Sequence, residues 1–138
     1  MDIRPLTKDF AVSPQIDLAH MKEIAGAGFR SLMCNRPDGE DYDQPDYIAV
    51  KTAAAEEGLE ICWIPMVAGV VTPGMMSEFK TAMEELPKPV LAYCRSGTRC
   101  VMLWAIAQYG LLDDDEIANC AAKAGFDMGP LLHQLGHK

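Results

Sequence analysis

One stretch of this chain concentrates the residue types that chemistry needs: Cys94-Arg95-Ser96-Gly97-Thr98-Arg99. It follows a short apolar run, Val90 to Tyr93, and precedes a longer one, Val101 to Tyr109, that is apolar almost all round. The first reads as a buried strand and the second as a buried central helix ended by Gly110. A loop entering a helix N-terminus points several backbone N–H groups at one spot, and the helix dipole adds partial positive charge there. Gly97 lets the backbone curl without a Cβ clash. Ser96 and Thr98 supply hydroxyl donors, while Arg95 and Arg99 bring positive charge. In such a field a cysteine pKa falls to roughly 3.5–7.5. The expected result is a nucleophilic thiolate at Cys94 facing an anion-binding loop, with Arg99 pointing into the loop and Arg95 outward. The bland alternative, a small buried cysteine at a tight turn, accounts for neither the arginines nor the hydroxyls.

The elements that must position this loop alternate along the chain. An extended piece at Phe10-Ala11-Val12 turns at Ser13-Pro14-Gln15. Leu18, Met21, Ile24 and Ala25 then recur at helical spacing, with Gly26 and Gly28 suited to the helix end. Phe29 to Cys34 reads as a strand running into a polar loop, Asn35 to Asp41. Pro45 suits the first turn of a second helix that carries Tyr47, Val50 and Ala54 and stops at Gly58. Leu59 to Met66 reads as the next strand. Thr72 is the expected N-cap of a third helix, with Met76, Phe79, Met83 and Leu86 inward and Pro87 beyond its end. After the central helix, Asp113 to Glu116 place acids in the first turn of another, closed by Gly125, and a Leu131/Leu132/Leu135 segment follows. This order predicts an α/β fold with a mostly parallel central sheet flanked by helices. With no repeat or linker, residues 1–138 read as a single domain.

Composition narrows the function classes. Twenty acids against twelve bases give a net charge of −8, which opposes non-specific binding to nucleic acid or to an anionic membrane. No apolar run reaches the roughly 18 residues of a membrane span, and no signal pattern opens the chain, so a cytoplasmic location is expected. The five cysteines (Cys34, Cys62, Cys94, Cys100, Cys120) are odd in number and lack Cys-x-x-Cys spacing, and His20, His133 and His137 are remote from them. This argues against a disulfide framework or a metal, and no cofactor is expected. Cys100 reads either as a resolving thiol for Cys94 or as the first inward residue of the central helix. Cys34, at a strand end, either faces the same pocket or packs in the core. His133 and His137 receive no role.

The polar loop after Cys34 contains Asp38, Glu40, Asp41 and Asp43. It leaves a strand at its C-terminal edge, where α/β proteins gather their sites. Arg36 and Asp38 are therefore candidates to reach the Cys94 pocket; the competing reading is a solvated Asp-Gly turn.

The Cys94–Arg99 loop resembles the active-site loop of rhodanese-type sulfurtransferases, in which the cysteine carries a persulfide. Nearly end to end, the chain is similar to the bacterial beta-lactamase-hydrolase-like phosphatase-like domain family. The similarity runs through Ser13-Pro14-Gln15-Ile16, Asn35-Arg36-Pro37-Asp38-Gly39-Glu40, Ile64-Pro65 and the cysteine loop. That resemblance implies the fold of cysteine-dependent dual-specificity phosphatases, and either phosphate or sulfur chemistry. Three features depart from a standard phosphatase: four residues rather than five separate Cys94 from Arg99, Tyr93 replaces the usual histidine, and no carboxylate lies between Ile64 and Thr72. Without a general acid, expulsion of an alkoxide loses about 10²–10⁴-fold, whereas sulfur transfer needs no such acid. The expected activity is therefore a sulfurtransferase with a persulfide on Cys94 and Arg99 as its catalytic partner. Arg95, Ser96, Gly97, Thr98, Arg36 and Asp38 would bind the anion. The implied partners are a small anionic sulfur or phosphate substrate and a small thiol acceptor. The alternatives are a phosphatase working through phosphocysteine, with an acid from Asp38, Glu40 or Asp41, and a non-catalytic anion- or sulfide-binding module.

Overall fold

Four of the chain's apolar runs become the parallel strands of one sheet. In the computed structural model, which describes residues 1–67 and 69–136, the strands are β1 (Arg4–Pro5), β2 (Phe10–Ser13), β3 (Ser31–Cys34), β4 (Glu60–Trp63) and β5 (Val90–Tyr93). They lie in the order β1-β2-β5-β3-β4, with β1 antiparallel to β2 and every other pair parallel. Every residue of β2, β3 and β5 is buried, as befits parallel strands covered on both faces. Register brings Ser13, Cys34 and Tyr93 level with one another, so three strands end together at the edge from which the cysteine loop departs.

A 3-10 turn at Leu18–His20 leads into α1 (Met21–Gly26); α2 (Tyr47–Glu56), α3 (Pro73–Glu85), α4 (Thr98–Gln108), α5 (Asp114–Lys123) and α6 (Gly129–Gly136) follow. Strand alternation divides the core in two. Leu32, Leu91 and Tyr93 pack with Ile24 of α1 and Val50 of α2 on one face. Met33, Val90 and Ala92 pack with Phe79 of α3, Val101 and Trp104 of α4 and Ile117 of α5 on the other. The Thr72 cap forms as its sequence suggests, its side chain accepting from the Met75 N–H at 3.1 Å with Pro73 next in line. No helix among the described residues is long and apolar enough to cross a membrane.

Several boundaries differ from expectation: β3 starts at Ser31 rather than Phe29, Asp46 caps α2 and leaves Pro45 outside it, and three further differences each have a physical reason. The two-residue β1 has no hydrophobic pattern to reveal it; Arg4 pins it instead, donating from Nη1 to the Ala124 carbonyl at 2.9 Å and lying over the Phe126 ring. The 59–66 run yields only the four residues of β4, whose ends are exposed because it is an edge strand, and Pro65 has no N–H with which to continue the ladder. The central helix begins at Thr98, not Val101, so Arg99 stands on its first turn rather than in a loop.

Candidate active site

Cys94 leaves β5 fully buried, and the chain folds back on it at once. The Gly97 N–H donates to Cys94 Sγ at 3.1 Å. Gly97 adopts φ 94° as the N-cap of α4 and offers no side chain to cap it, so the N–H groups of the helix's first turn (Thr98, Arg99 and Cys100) have no helical carbonyl to meet. The position requires glycine twice over. Its φ is left-handed, and a Cβ would approach Phe126 Cζ to 3.1 Å.

These donors set the thiol's chemistry. The Cys94 pKa is lowered from its ordinary 9.0 to about 6, first by a hydrogen bond from the Cys100 side chain. Burial opposes that shift, and the backbone N–H groups of Cys100, Ser96 and Gly97 reinforce it. Burial pushes Cys34 and Cys100 up and Cys62 to about 11. Of these four thiols only Cys94 has hydrogen bonds that outweigh burial, which favours its thiolate near neutral pH. The backbone donors expected from the sequence contribute to that shift, but the largest single donor, the Cys100 side chain, was not foreseen as one.

A chain of alternating charges binds the cysteine loop to the polar loop. Arg99 donates through Nη2 to Glu40 Oε1 at 2.6 Å and through Nη1 to Glu40 Oε2 at 2.9 Å. Its Nη1 also reaches the Met66 carbonyl at 3.0 Å. Glu40 Oε1 in turn accepts from Arg36 Nε at 3.0 Å, and Arg36 Nη2 donates to Asp41 Oδ2 at 2.6 Å. Arg95 Nε completes the series 3.5 Å from the same Asp41 oxygen. Glu40 therefore grips the end of the Arg99 guanidinium. The Nε–H and the remaining Nη2–H, which share the guanidinium's side edge, have no acceptor among the described residues; that edge is a two-pronged fork for an oxyanion. The hydrogen bond from Arg99, followed by the one from Arg36, holds the Glu40 carboxyl below the usual carboxylate range.

Backbone anchors deliver the polar loop. Asn35 donates its N–H to the Tyr93 carbonyl at 2.9 Å and its Nδ2 to the Ile64 carbonyl at 3.0 Å, and accepts from the Met66 N–H at 3.1 Å. The Arg36 carbonyl accepts from Trp63 Nε1 at 2.9 Å and from Cys34 Sγ at 3.3 Å. The Trp63 indole is stacked on Tyr47 of α2.

The structure thus brings Cys94, Gly97, Arg99, Arg95 and Arg36 together, in roles partly different from those expected. Arg36 was a candidate anion ligand, but it is only 2% exposed and its guanidinium is taken by Glu40, Asp41 and Gln15 (2.9 Å). It supports the site from within. Asp38 accepts the Tyr47 N–H at 2.8 Å through Oδ1 and so helps to start α2. Arg95 points outward as expected, with its side chain 67% exposed. The Ser96 and Thr98 hydroxyls sit exposed at the mouth, 3.1 Å from each other. Cys100 is fully buried on the first turn of α4, beside Cys94, and Cys34 is buried with its thiol on the Arg36 carbonyl. His133 is exposed on α6; His137 lies outside the described residues. Sequence reasoning saw Glu40 only as a possible acid. The signal for its holding role was its place four residues after Arg36 in a loop aimed at a second arginine. Among the described residues, no group of three or more metal-ligating side chains comes together.

A thiolate at the start of a buried helix, at the carboxyl edge of a parallel sheet and beside a clamped arginine, defines a phosphatase-like protein with a cysteine nucleophile. Residues 2–111 match the family described as beta-lactamase hydrolase-like protein, phosphatase-like domain, and the chain belongs to it. It is 32% identical over 131 residues to the beta-lactamase hydrolase-like protein of Xylella fastidiosa (strain Temecula1), an alignment covering 94% of this chain and 30% of that protein. The chain thus spans about 30% of the length of its curated relative. Its fold is similar to the crystal structure of a candidate phosphatase from Neisseria meningitidis, with TM-score 0.87 and 32% identity over 98% of this chain and 96% of the other. The catalytic core of the PP-IP phosphatase SIW14 from S. cerevisiae shares the fold at TM-score 0.68 and 15% identity, covering 98% and 83% of the two chains.

Proposed function

We propose that this domain hydrolyses phosphate esters that have good leaving groups, through a phosphocysteine at Cys94. The observation that carries the reading is the Cys94 thiolate held at the N-terminus of α4, with Arg99 on the first turn of the same helix and its guanidinium in the electrostatic reach of that thiolate. Helix-start N–H groups and a guanidinium fork suit the equatorial oxygens of a phosphoryl group. Cys94 Sγ attacks phosphorus, the sulfur–phosphorus bond forms, and the ester oxygen leaves with its electron pair. Water then attacks the phosphocysteine, releasing inorganic phosphate and restoring the thiolate.

The leaving oxygen receives little help. Glu40 is the carboxylate on Arg99, but its two arginine partners keep it ionised, and an ionised group has no proton to give. The 64–72 segment has no acid at all. An aryloxide leaves unaided, whereas an alkoxide does not. The substrates that fit are therefore aryl or comparably activated phosphates. The phosphatase neighbours favour phosphate over sulfur, reversing the order expected from the missing carboxylate. Sulfur transfer through a Cys94 persulfide is the second reading, favoured by the same lack of a proton donor. A cytosolic setting, where the five free thiols stay reduced, belongs to the proposal.

The test is turnover of an aryl phosphate by wild type and Cys94→Ser, beside thiosulfate-to-cyanide sulfur transfer. The phosphatase reading expects the first activity and its loss in the variant; sulfur transfer alone would overturn it.

A further inference from the structure

The outer edge of the sheet is open. β4 pairs with β3 alone. The N–H groups of Glu60 and Ile64 donate toward β3, to the Arg30 and Cys34 carbonyls at 3.2 and 2.9 Å. In a parallel ladder, the N–H and C=O groups of the intervening Ile61 and Trp63 must then face away from the sheet. Beside this edge runs a groove of about 460 Å³ between β4 and α3. Cys62, Ile64 and Leu86 are among its apolar lining residues, and Glu60, Glu78 and Glu85 contribute carboxylates. Among the described residues none of these glutamates forms an ion pair.

We infer that an extended, basic segment of a partner protein docks here, adding a strand to β4 and laying alternate Lys or Arg side chains along the groove. The open N–H and C=O groups supply the backbone recognition that strand addition requires. The apolar lining suits the methylene stems of long basic side chains, and the glutamates suit their heads. Glu78 and Glu85 stand seven residues, about 10 Å, apart along α3. Alternate side chains of a strand are about 7 Å apart, and flexible stems span the difference. A second copy of this chain fits poorly, because it would bring the same unpaired glutamates together on molecules that each carry a net charge of −8.

The probe is a fluorescein-labelled Lys-Thr-Lys-Val-Lys-Thr-Lys peptide, followed by fluorescence anisotropy at low salt. Saturable binding is expected, weakened at least tenfold by the double substitution Glu78→Lys/Glu85→Lys. The same loss is expected when alternate peptide nitrogens are methylated, which leaves the charge but removes strand pairing. The methylated peptide is tested against the unaltered protein, so the result stands even if the double variant folds badly. Failure to bind, equal binding of the methylated peptide, or equal binding of a peptide with Glu in place of Lys would overturn the inference. So would light scattering that shows this edge buried in a dimer.

Discussion

Glu40 meets Arg99 end-on, with both carboxylate oxygens engaged at 2.6 and 2.9 Å, and by doing so leaves the side edge of the guanidinium without an acceptor among the described residues. Glu40 is itself held by the buried Arg36 at 3.0 Å, so the orientation of a cysteine-loop arginine is fixed from a different strand's loop. Removing the grip should disorient the fork without removing its charge. A hydrogen bond to a charged group is worth roughly 1.5–3 kcal/mol, or about ten- to a hundredfold in rate. Glu40→Gln, which keeps the shape but loses the charge, should therefore lower kcat/KM for an aryl phosphate by about ten- to a hundredfold. Steady-state kinetics with the Cys94 thiolate titration as a control would show whether the loss stems from Arg99 or from the nucleophile. Arg99→Lys should weaken phosphate binding more than Arg95→Lys, since a lysine has no planar fork and Arg95 lies at the exposed end of the network.

The pH dependence follows from the Cys94 shift. A thiol lowered from 9.0 to about 6 by hydrogen bonds to its thiolate holds fewer protons folded than unfolded between those values. Its contribution to stability is therefore complete above about pH 9 and is lost as pH falls through about 6. Thiolate absorbance, taken as the difference between wild type and Cys94→Ser, should rise with a midpoint near pH 6. Cys100→Ala removes the first of the stabilising hydrogen bonds and should move that midpoint upward. An unmoved midpoint would assign the shift to the backbone donors alone.

Gly97 gives a stability prediction with an internal control. Gly97 and Gly110 both have left-handed backbones, at φ 94° and 84°, but only Gly97 has a neighbour where its Cβ would stand. Gly110→Ala should cost about 1–2 kcal/mol in urea unfolding, the conformational penalty alone. Gly97→Ala should cost more, because Phe126 must also yield, and it should weaken phosphate binding as the loop shifts.

Leaving-group dependence distinguishes this site from one with a working general acid. The ratio of aryl to alkyl phosphate turnover should exceed the ratio set by leaving-group chemistry in an acid-assisted enzyme by about 10²–10⁴-fold. If alkyl phosphates are turned over briskly and Asp38→Asn abolishes the activity, the proton comes from Asp38 despite its bond to the Tyr47 N–H.

Much of this was legible in the sequence because the relevant signals are local. Val90–Tyr93, Gly97 and the apolar run after Arg99 fix a strand, a left-handed turn and a helix within twenty residues, and the thiolate follows from that geometry. The Arg36–Glu40–Arg99 relay was not legible, since 59 positions separate Glu40 from Arg99 and only the register of β3 against β5 brings them together. Nor was the role of Phe126 behind Gly97, which depends on the packing of the α5–α6 turn. Phosphate and sulfur chemistry share the thiolate and the cradle, so the sequence could rank them only by the carboxylate missing between Ile64 and Thr72, and the phosphatase relatives favour the other order.

The most direct measurement is the identity of the group that Cys94 carries during turnover. The protein is mixed with an isotopically labelled aryl phosphate, quenched within one turnover, and the Cys94 peptide is mapped; a parallel sample receives thiosulfate. The account predicts phosphate on Cys94, near one per chain, with none in Cys94→Ser. A Cys94 peptide that never carries phosphate but gains one sulfur from thiosulfate would contradict it.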